Sequence, residues 1–507
     1  MSDVCLVLEG TYPYVTGGVS SWVHNLIKAL PRVQFSLLTI LPSRETYRDY
    51  NYEVPENVVA VSEVHIHDYE LSTRKNSGST SRAYEVLAQF YQDLKARNYA
   101  LLPEVFRLVV DPDTRIISPR MLFLHKKTWE MVVAGYESME LEESFIDFFW
   151  TWRYSHLPLL QLADAKIPRA AVYHTISTGY GGLLAAMAHL KTGAPMLLTE
   201  HGIYSNERRL EIEQAHWIYE RKVDRAIITT TVSPFKQMWI SLFEHLARIT
   251  YHYADEIITL FENNRKVQIM GGADHRRTRV IPNGIDPATF SLKKQPKKPE
   301  EAFQVGFVGR VVSIKDFKTF IRACKIVCGR IPNTHFPILG PTDEEGDYFE
   351  ECRTMVEMLG LEDCIEFKGR VDVRQHYTRL DVVVLTSISE AQPLVILEAN
   401  ICGVPCVATD VGSCSELLNG RTPEDIALGP SGLVTPIADP AATAEAIIQI
   451  LMDDDLRWRM GQRGIQRVER FYNDRNLNFA YMDLYRQYIA LSKTRQAPTE
   501  GGKAWQE

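Results

Sequence analysis

The chain reads as an α/β protein built of two doubly wound parallel-sheet domains, the first carrying a helical insertion. Two observations predict this. Short apolar, β-branched runs alternate with helical stretches at both ends of the chain, the pattern of strand–helix–strand units rather than of hairpins. Several of these runs also end in glycine-bearing turns that lead straight into helices, where an open parallel sheet binds its ligands. The length of 507 residues agrees, since one core rarely serves much more than a domain of roughly 150 residues.

Strand candidates in the first half are residues 4–8, 35–40, 171–174, 196–199, 256–260 and 279–282. The first, Val4-Cys-Leu-Val-Leu-Glu9, is followed by Tyr14-Val-Thr-Gly-Gly-Val-Ser-Ser-Trp22. Gly17 and Gly18 there let backbone approach a ligand closely, with the N–H donors of a helix start behind them. Between about 64 and 162 the alternation dissolves into long amphipathic, aromatic-rich stretches, read as the insertion. Residues 293–301, Lys-Lys-Gln-Pro-Lys-Lys-Pro-Glu-Glu, form a charged, proline-broken linker.

The second half is cleaner, with strand candidates at 304–308, 336–339, 365–368, 382–386, 406–409 and 433–435, and helices such as 315–330 and 393–402. Near the end Leu477, Tyr481, Leu484, Tyr488 and Leu491 recur every three or four residues, one apolar helical stripe. The polar residues after it, 494–507, read as a frayed tail.

The chemistry concentrates in the second half. Glu390 leaves the apolar run Asp381–Ser387, and Glu398, with seven residues between, lies about two turns into the next helix. The first carboxylate suits sugar hydroxyls and the second a ribose diol. The N–H groups around Pro393, Leu394 and Val395 suit a negatively charged group. In Phe307-Val-Gly-Arg-Val-Val-Ser-Ile-Lys-Asp316, Arg310 and Lys315 project from a glycine turn, able to neutralise a diphosphate without a metal ion. Leu197-Leu-Thr-Glu-His-Gly202 puts His201 at a strand end, and Ile281-Pro-Asn-Gly-Ile-Asp286 is a compact turn leaving the first domain.

Together these motifs resemble glycosyltransferase family 4, and the likeness runs from the N-terminal glycine loop to the last helix. The opening Leu8–His24 is more similar still to the cytoplasmic glycosyltransferases of Pel exopolysaccharide synthesis. The resemblance implies the GT-B fold, two Rossmann-like domains facing a cleft. It places an acceptor domain at 1–286, a nucleotide-sugar donor domain at 287–472, and at 473–507 a helix crossing back to the first domain. It implies retaining, metal-independent transfer of a hexosyl group from UDP-N-acetylgalactosamine or UDP-glucose to a growing glycan. Arg310 and Lys315 would bind the diphosphate, Glu398 the ribose, and Glu390 the transferred sugar, helped by backbone amides at Gln392 to Val395. Backbone near Arg370 and Val371 would meet the uracil. His201 would reach the sugar, and Gly17–Gly18 the phosphate. No cofactor is implied; a cytoplasmic enzyme recruited to an inner-membrane polysaccharide export complex is. A GT-B UDP-sugar epimerase and a non-catalytic UDP-sugar-binding subunit are the other two function classes open.

Rival constellations remain. Asp111-Pro-Asp113, after the apolar run 106–110, has the Asp-x-Asp form that holds a divalent metal in GT-A enzymes, yet Asp-Pro-Asp is also good turn chemistry, the preferred reading since the second domain already offers a metal-free phosphate clamp. His65-Ile-His67 beside Asp68 would place two imidazoles on one strand face, and Arg276-Arg-Thr-Arg279 is a basic cluster open to phosphate or to solvent. His174, ending a strand, is either an acceptor contact or a buried structural histidine. The net charge of −8 argues against nucleic acid, and no apolar run suggests a membrane span or a signal peptide. The eight cysteines form no CxxC pair, so buried reduced thiols and a cytosolic setting are expected.

Overall fold

In the computed structural model, residues 1–46, 49–139, 143–215, 217–218, 232–290 and 300–496 are described. Most of the expected linker, 293–299, and the tail from 497 onward lie outside them. The chain divides into two units. The first comprises Met1–Ile258, Lys266–Arg279 and the chain from Tyr481; the second comprises Thr259–Arg265 and Val280–Ala480. The expected boundaries at 286 and 472 therefore move: Val280–Asp286 and residues 473–480 group with the second unit, as does Thr259–Arg265.

The first sheet holds β1 (Ser2–Glu9), β2 (Phe35–Leu41), β3 (Val58–His65), β4 (Ala170–Thr175), β5 (Met196–Glu200), β6 (Glu256–Thr259) and β7 (Thr278–Val280), in the order β3-β2-β1-β4-β5-β6-β7. Pairing is parallel from β3 to β5, with Val4 opposite Phe35 and Val172. Strand β3 is a correction. The insertion was expected to begin at 64, but Val58–His65 is an edge strand, and its half-buried or exposed, part-polar residues hide the alternation. Helices then run from Thr80–Lys95 to Phe145–Leu162. Arg115, wholly buried, pins this insertion: it donates to Arg74 O (2.7 Å) and Ser72 Oγ (2.9 Å) and pairs with Asp164 at 2.9 Å.

The second sheet runs β10-β9-β8-β11-β12-β13, all parallel: β8 (Phe303–Val308), β9 (Thr334–Leu339), β10 (Ile365–Gly369), β11 (Val382–Leu385), β12 (Cys406–Thr409) and β13 (Gly432–Thr435). The two-residue period of a strand sorts its side chains into two cores. Val305, Phe307, Val382 and Val384 face one with the helices Phe317–Arg330 and Pro440–Met452; Val308, Val383 and Leu385 face the other with Leu394–Ile401 and Asp454–Phe471. The helix Phe317–Arg330 buries Phe317, Phe320, Ile321, Cys324 and Val327 along one stripe, and each such side chain contributes about 1.5–3 kcal/mol. Both sheets reverse winding once, at β1/β4 and at β8/β11, and the loops that matter leave those two places.

Candidate functional site

In the second unit the loops after β8 and β11 are bound to one another. Thr386 Oγ1 donates to the carbonyls of Lys315 and Asp316, both at 3.0 Å, and Ile388 N donates to Ile314 O at 2.9 Å. Asp316 sits in the left-handed region (φ 43) and caps the helix that follows, accepting from Thr319 N. This brings Lys315 Nζ onto the carboxylate of Glu390, which also accepts from Ser387 Oγ at 2.7 Å. Arg310 is half exposed and paired with Glu344 at 2.5 Å. Both cations expected to project as open phosphate ligands thus carry carboxylate partners, because the loop after β9 and the loop after β11 each supply one.

The Glu390 loop is held from its other side by the loop after β12. Thr409 Oγ1 donates to Ser387 O (2.6 Å) and Ser413 N to Ala391 O (3.0 Å). Gly412 has φ +55, and a Cβ there would stand 2.1 Å from Glu390 O, so only glycine fits.

Gln392, whose backbone amide is expected at the substrate, binds the turn at Asn283 with its side chain: its Oε1 accepts from Asn283 N (2.7 Å) and its Nε2 donates to Asn283 O (2.9 Å). It clasps the Pro-Asn-Gly-Ile-Asp turn and offers a ligand only backbone. Pro393 precedes the helix Leu394–Ile401 and has no N–H, so the first-turn donors are Leu394 and Val395. On this helix Glu398 accepts from Tyr377 OH at 2.7 Å; burial raises its pKa, and the Tyr377 bond opposes the shift. Arg370 and Val371 follow β10; Arg370 is exposed and 3.3 Å from Asp343, while Val371 packs on the core.

In the first unit, Gly17 and Gly18 open the helix Gly18–Ala29 at the surface, and a Cβ on either would meet nothing within 4 Å. Packing does not demand glycine here; its absence of side chain leaves the helix start uncovered. Trp22 of this helix packs edge-on against His201, with ring centroids 4.7 Å apart, and burial lowers the His201 pKa to about 4. His174 sits as the buried structural alternative describes. It is wholly buried, with Nδ1 2.7 Å from Tyr485 OH and Nε2 2.9 Å from Thr199 Oγ1, and burial lowers its pKa to about 3, helped by His201. Tyr485 lies beside the expected stripe Leu477–Leu491, and only the partner strand reveals why it is polar at its tip.

The rival constellations resolve as structure. Residues 106–110 are helical, not a strand, and Lys191 Nζ binds Asp111 and Asp113 at 2.9 Å each, closing a turn. Strand β3 ends at His65, which faces Glu63 at 3.3 Å, and His67 is exposed beyond it. Arg276 pairs with Asp274 and Arg279 with Glu256. Among the described residues no cluster of three or more His, Cys, Asp or Glu could hold a metal ion, and no helix is long and apolar enough to cross a membrane. Two carboxylates ending buried strands carry more structure than their positions announce. Glu9 accepts from Ser177 Oγ (2.8 Å), Gly181 N (2.9 Å) and Tyr204 OH (2.5 Å). Glu200, buried and raised in pKa by that burial, accepts from Thr178, Tyr251 and Gln268. A charge closing an apolar run was the available signal.

Residues 2–276 match the family described as Domain of unknown function (DUF3492), and residues 289–467 match Glycosyl transferases group 1. The D-inositol 3-phosphate glycosyltransferase of Corynebacterium jeikeium is 29% identical over 194 residues, 37% of this chain and 44% of the relative. The N-acetyl-alpha-D-glucosaminyl L-malate synthase of Bacillus anthracis is 32% identical over 142 residues, 28% of this chain and 35% of the relative. The chain spans about half the length, or less, of these curated relatives. Among solved structures, HepE of Anabaena in complex with UDP superposes with a TM-score of 0.56 at 15% identity, covering 96% of this chain and 99% of that one. Sucrose-phosphate synthase of Thermosynechococcus elongatus gives 0.55 at 18% identity, with 96% and 99% covered. At such identities the likeness shows the fold, which is GT-B. By the match over more than half its length, the chain belongs to the DUF3492 family, with a glycosyl transferases group 1 domain following on the same GT-B fold.

Proposed function

We propose that the chain is a retaining, metal-independent hexosyltransferase that moves sugar from a UDP-sugar to a growing exopolysaccharide of the Pel type. The observation that carries this is the Lys315–Glu390 pair at the winding switch of the second sheet, beside the open start of the helix Leu394–Ile401. A cation, a carboxylate and uncovered N–H donors meet where a nucleotide-sugar presents its diphosphate and its sugar. The glycosyl transferases group 1 match over this unit supports the reading, as do relatives named as glycosyltransferases and a fold neighbour solved in complex with UDP.

Lys315 leaves Glu390 for the β-phosphate when donor binds, and Arg310 leaves Glu344 likewise. Their charges stabilise the departing diphosphate in place of a metal. Glu390, released, accepts hydrogen bonds from the sugar hydroxyls, and Glu398 accepts from the ribose. The acceptor hydroxyl attacks from the leaving-group face, its proton passing to a phosphate oxygen, so configuration is retained. His201, Gly17 and Gly18 of the first unit contact the donor's sugar and phosphate. The enzyme works in the cytoplasm, recruited by an inner-membrane polysaccharide export complex.

Thermal melts with UDP, GDP, ADP and UDP-sugars, each with and without EDTA, test this. A ligand at about a hundred times its Kd adds roughly 2.7 kcal/mol. Stabilisation by UDP compounds that survives EDTA is expected; its loss with EDTA would overturn metal independence, and a preference for ADP or GDP the donor. Product analysis separates the other classes: a lengthened glycan supports transfer, free epimerised sugar indicates an epimerase, and binding without turnover a sensing subunit.

A further inference from the structure

The first unit contains an apolar cavity of about 570 Å³, a size in the range of small-ligand pockets. It lies among the helices Thr80–Lys95, Phe145–Leu162, Tyr180–Thr192 and Pro234–Tyr253, and all its lining residues belong to this unit. None of them is a strand residue, so the cavity stands apart from the strand-end loops. Each of the four helices supplies leucines to its walls, among them Leu87, Leu159, Leu183 and Leu242. A further wall is Phe106–Val110, a π-helical turn that sets Phe106, Val109 and Val110 on the cavity. Such turns are rare and often mark functional sites. Protein interiors contain few voids larger than a water molecule. A space of this size deprives its apolar lining of dispersion contacts, so an apolar occupant gains by filling it.

One side of the cavity is cationic. Lys95, exposed at the end of its helix, lines it, and so does His245. His245 Nδ1 is 3.1 Å from the hydroxyl of Tyr99, in the turn that follows Lys95. Burial lowers the His245 pKa, and the charges of Arg248 and Arg97 lower it further against the opposing Glu244. Among the described residues Lys95 and Arg97 have no carboxylate partner. The nearby acids are already engaged: Glu244 by Arg209 (2.7 Å) and Arg248 (3.5 Å), and Asp93 by Gln89 (2.8 Å) and Asn98 (3.4 Å). An anionic group at this side is therefore stabilised while an apolar chain fills the interior. Two turns of α-helix, about 10 Å across and about 11 Å long, need more volume than the cavity holds, so a single alkyl chain fits better than a partner's helix.

We propose that this cavity binds a long-chain fatty acid, its alkyl chain packed against the leucines and its carboxylate at Lys95 and Arg97. The inference is independent of the glycosyl-transfer reading above. It gives the helical insertion a ligand of its own, one that stabilises the insertion by completing its packing.

The test is isothermal titration calorimetry of the full chain with octanoate, decanoate and dodecanoate below micelle formation, with decanol as the uncharged counterpart. Affinity is expected to rise about fourfold per added methylene, and bound dodecanoate to raise the melting temperature. Decanoate should bind more tightly than decanol. Replacing both cations, Lys95→Gln with Arg97→Gln, should weaken decanoate about fivefold and leave decanol unchanged. Both side chains are exposed, so that variant keeps the fold. Leu159→Trp, which fills the cavity, should abolish binding of all four ligands; if it does not fold, the chain-length series and the charge variant decide alone. No binding, affinity without chain-length dependence, or dodecanoate bound equally well by folded Leu159→Trp overturns the site. Decanol bound as tightly as decanoate, or a charge variant without effect, overturns the carboxylate assignment. Binding to phosphatidylglycerol vesicles but not to dodecanoate overturns the fatty acid in favour of a membrane surface.

Discussion

Lys315 is 18% exposed and shares its charge with Glu390, so it is positioned by its partner rather than left mobile. Removing a preorganised group that meets developing charge commonly costs about 3 kcal/mol of barrier, on the order of a hundredfold. Lys315→Ala is accordingly expected to lower kcat about that much, in a donor-turnover assay, while the melting temperature stays near the wild-type value. The fold does not need the lysine: Ser387 Oγ still donates to Glu390 at 2.7 Å. Turnover close to wild type would remove Lys315 from the chemistry. At Gly412 the constraint is steric, since any Cβ meets the Glu390 carbonyl at 2.1 Å with φ at +55. Gly412→Ala should push the Glu390 loop out of place and depress kcat more than it depresses stability, a split that paired kinetics and melts will read.

Between elements, one ion pair does what apolar packing does elsewhere. Arg467 on the helix Asp454–Phe471 is fully buried, pairs with Asp425 at 2.6 Å, and donates to Leu418 O (2.7 Å), Ser431 Oγ (3.0 Å) and Gly429 O (2.9 Å). It thereby fastens the loops around β13 to the helix. Removing one member of a buried, fully bonded pair leaves the other charge stranded and costs about 3–5 kcal/mol. Arg467→Ala is expected to lose that much in urea unfolding. A loss below 1 kcal/mol, the range typical of exposed pairs, would show the network to be dispensable. The insertion relies on the same device at Arg115.

At the scale of the molecule, the first unit contains a set of histidines that burial keeps neutral. The pKa of His174 falls from 6.5 to about 3, and those of His156 and His201 to about 4. Unfolded, each would take up a proton below about 6.5, whereas folded they stay unprotonated until far lower pH. The unfolded state therefore binds more protons across this window, and stability falls as the pH is lowered from 6.5 toward 4. Melting temperatures measured across that range should drop steeply, and His174→Gln, which removes one such group, should flatten the slope while lowering the plateau at neutral pH. A flat profile in the wild type would contradict the buried neutral state.

Period and punctuation made much of this legible in sequence. Twelve of the thirteen strands among the described residues lay on apolar runs alternating with helical stretches, which gave the two doubly wound sheets; the GT-B arrangement came from the resemblance of the motifs. The turn after β8 and the carboxylates Glu390 and Glu398 stood out because glycine, cations and carboxylates follow directly on apolar runs there. Strand β3 was hidden because an edge strand has water on one side and little apolar pressure to alternate. The partners of each charge were also out of reach. That Lys315 meets Glu390, Arg310 meets Glu344, Gln392 clasps Asn283 and Lys191 closes Asp111–Asp113 depends on segments 34 to 109 residues apart along the chain. Local sequence sets which way a side chain points, by helical or strand period. Which group it then meets is decided only when the sheet brings distant loops to one edge.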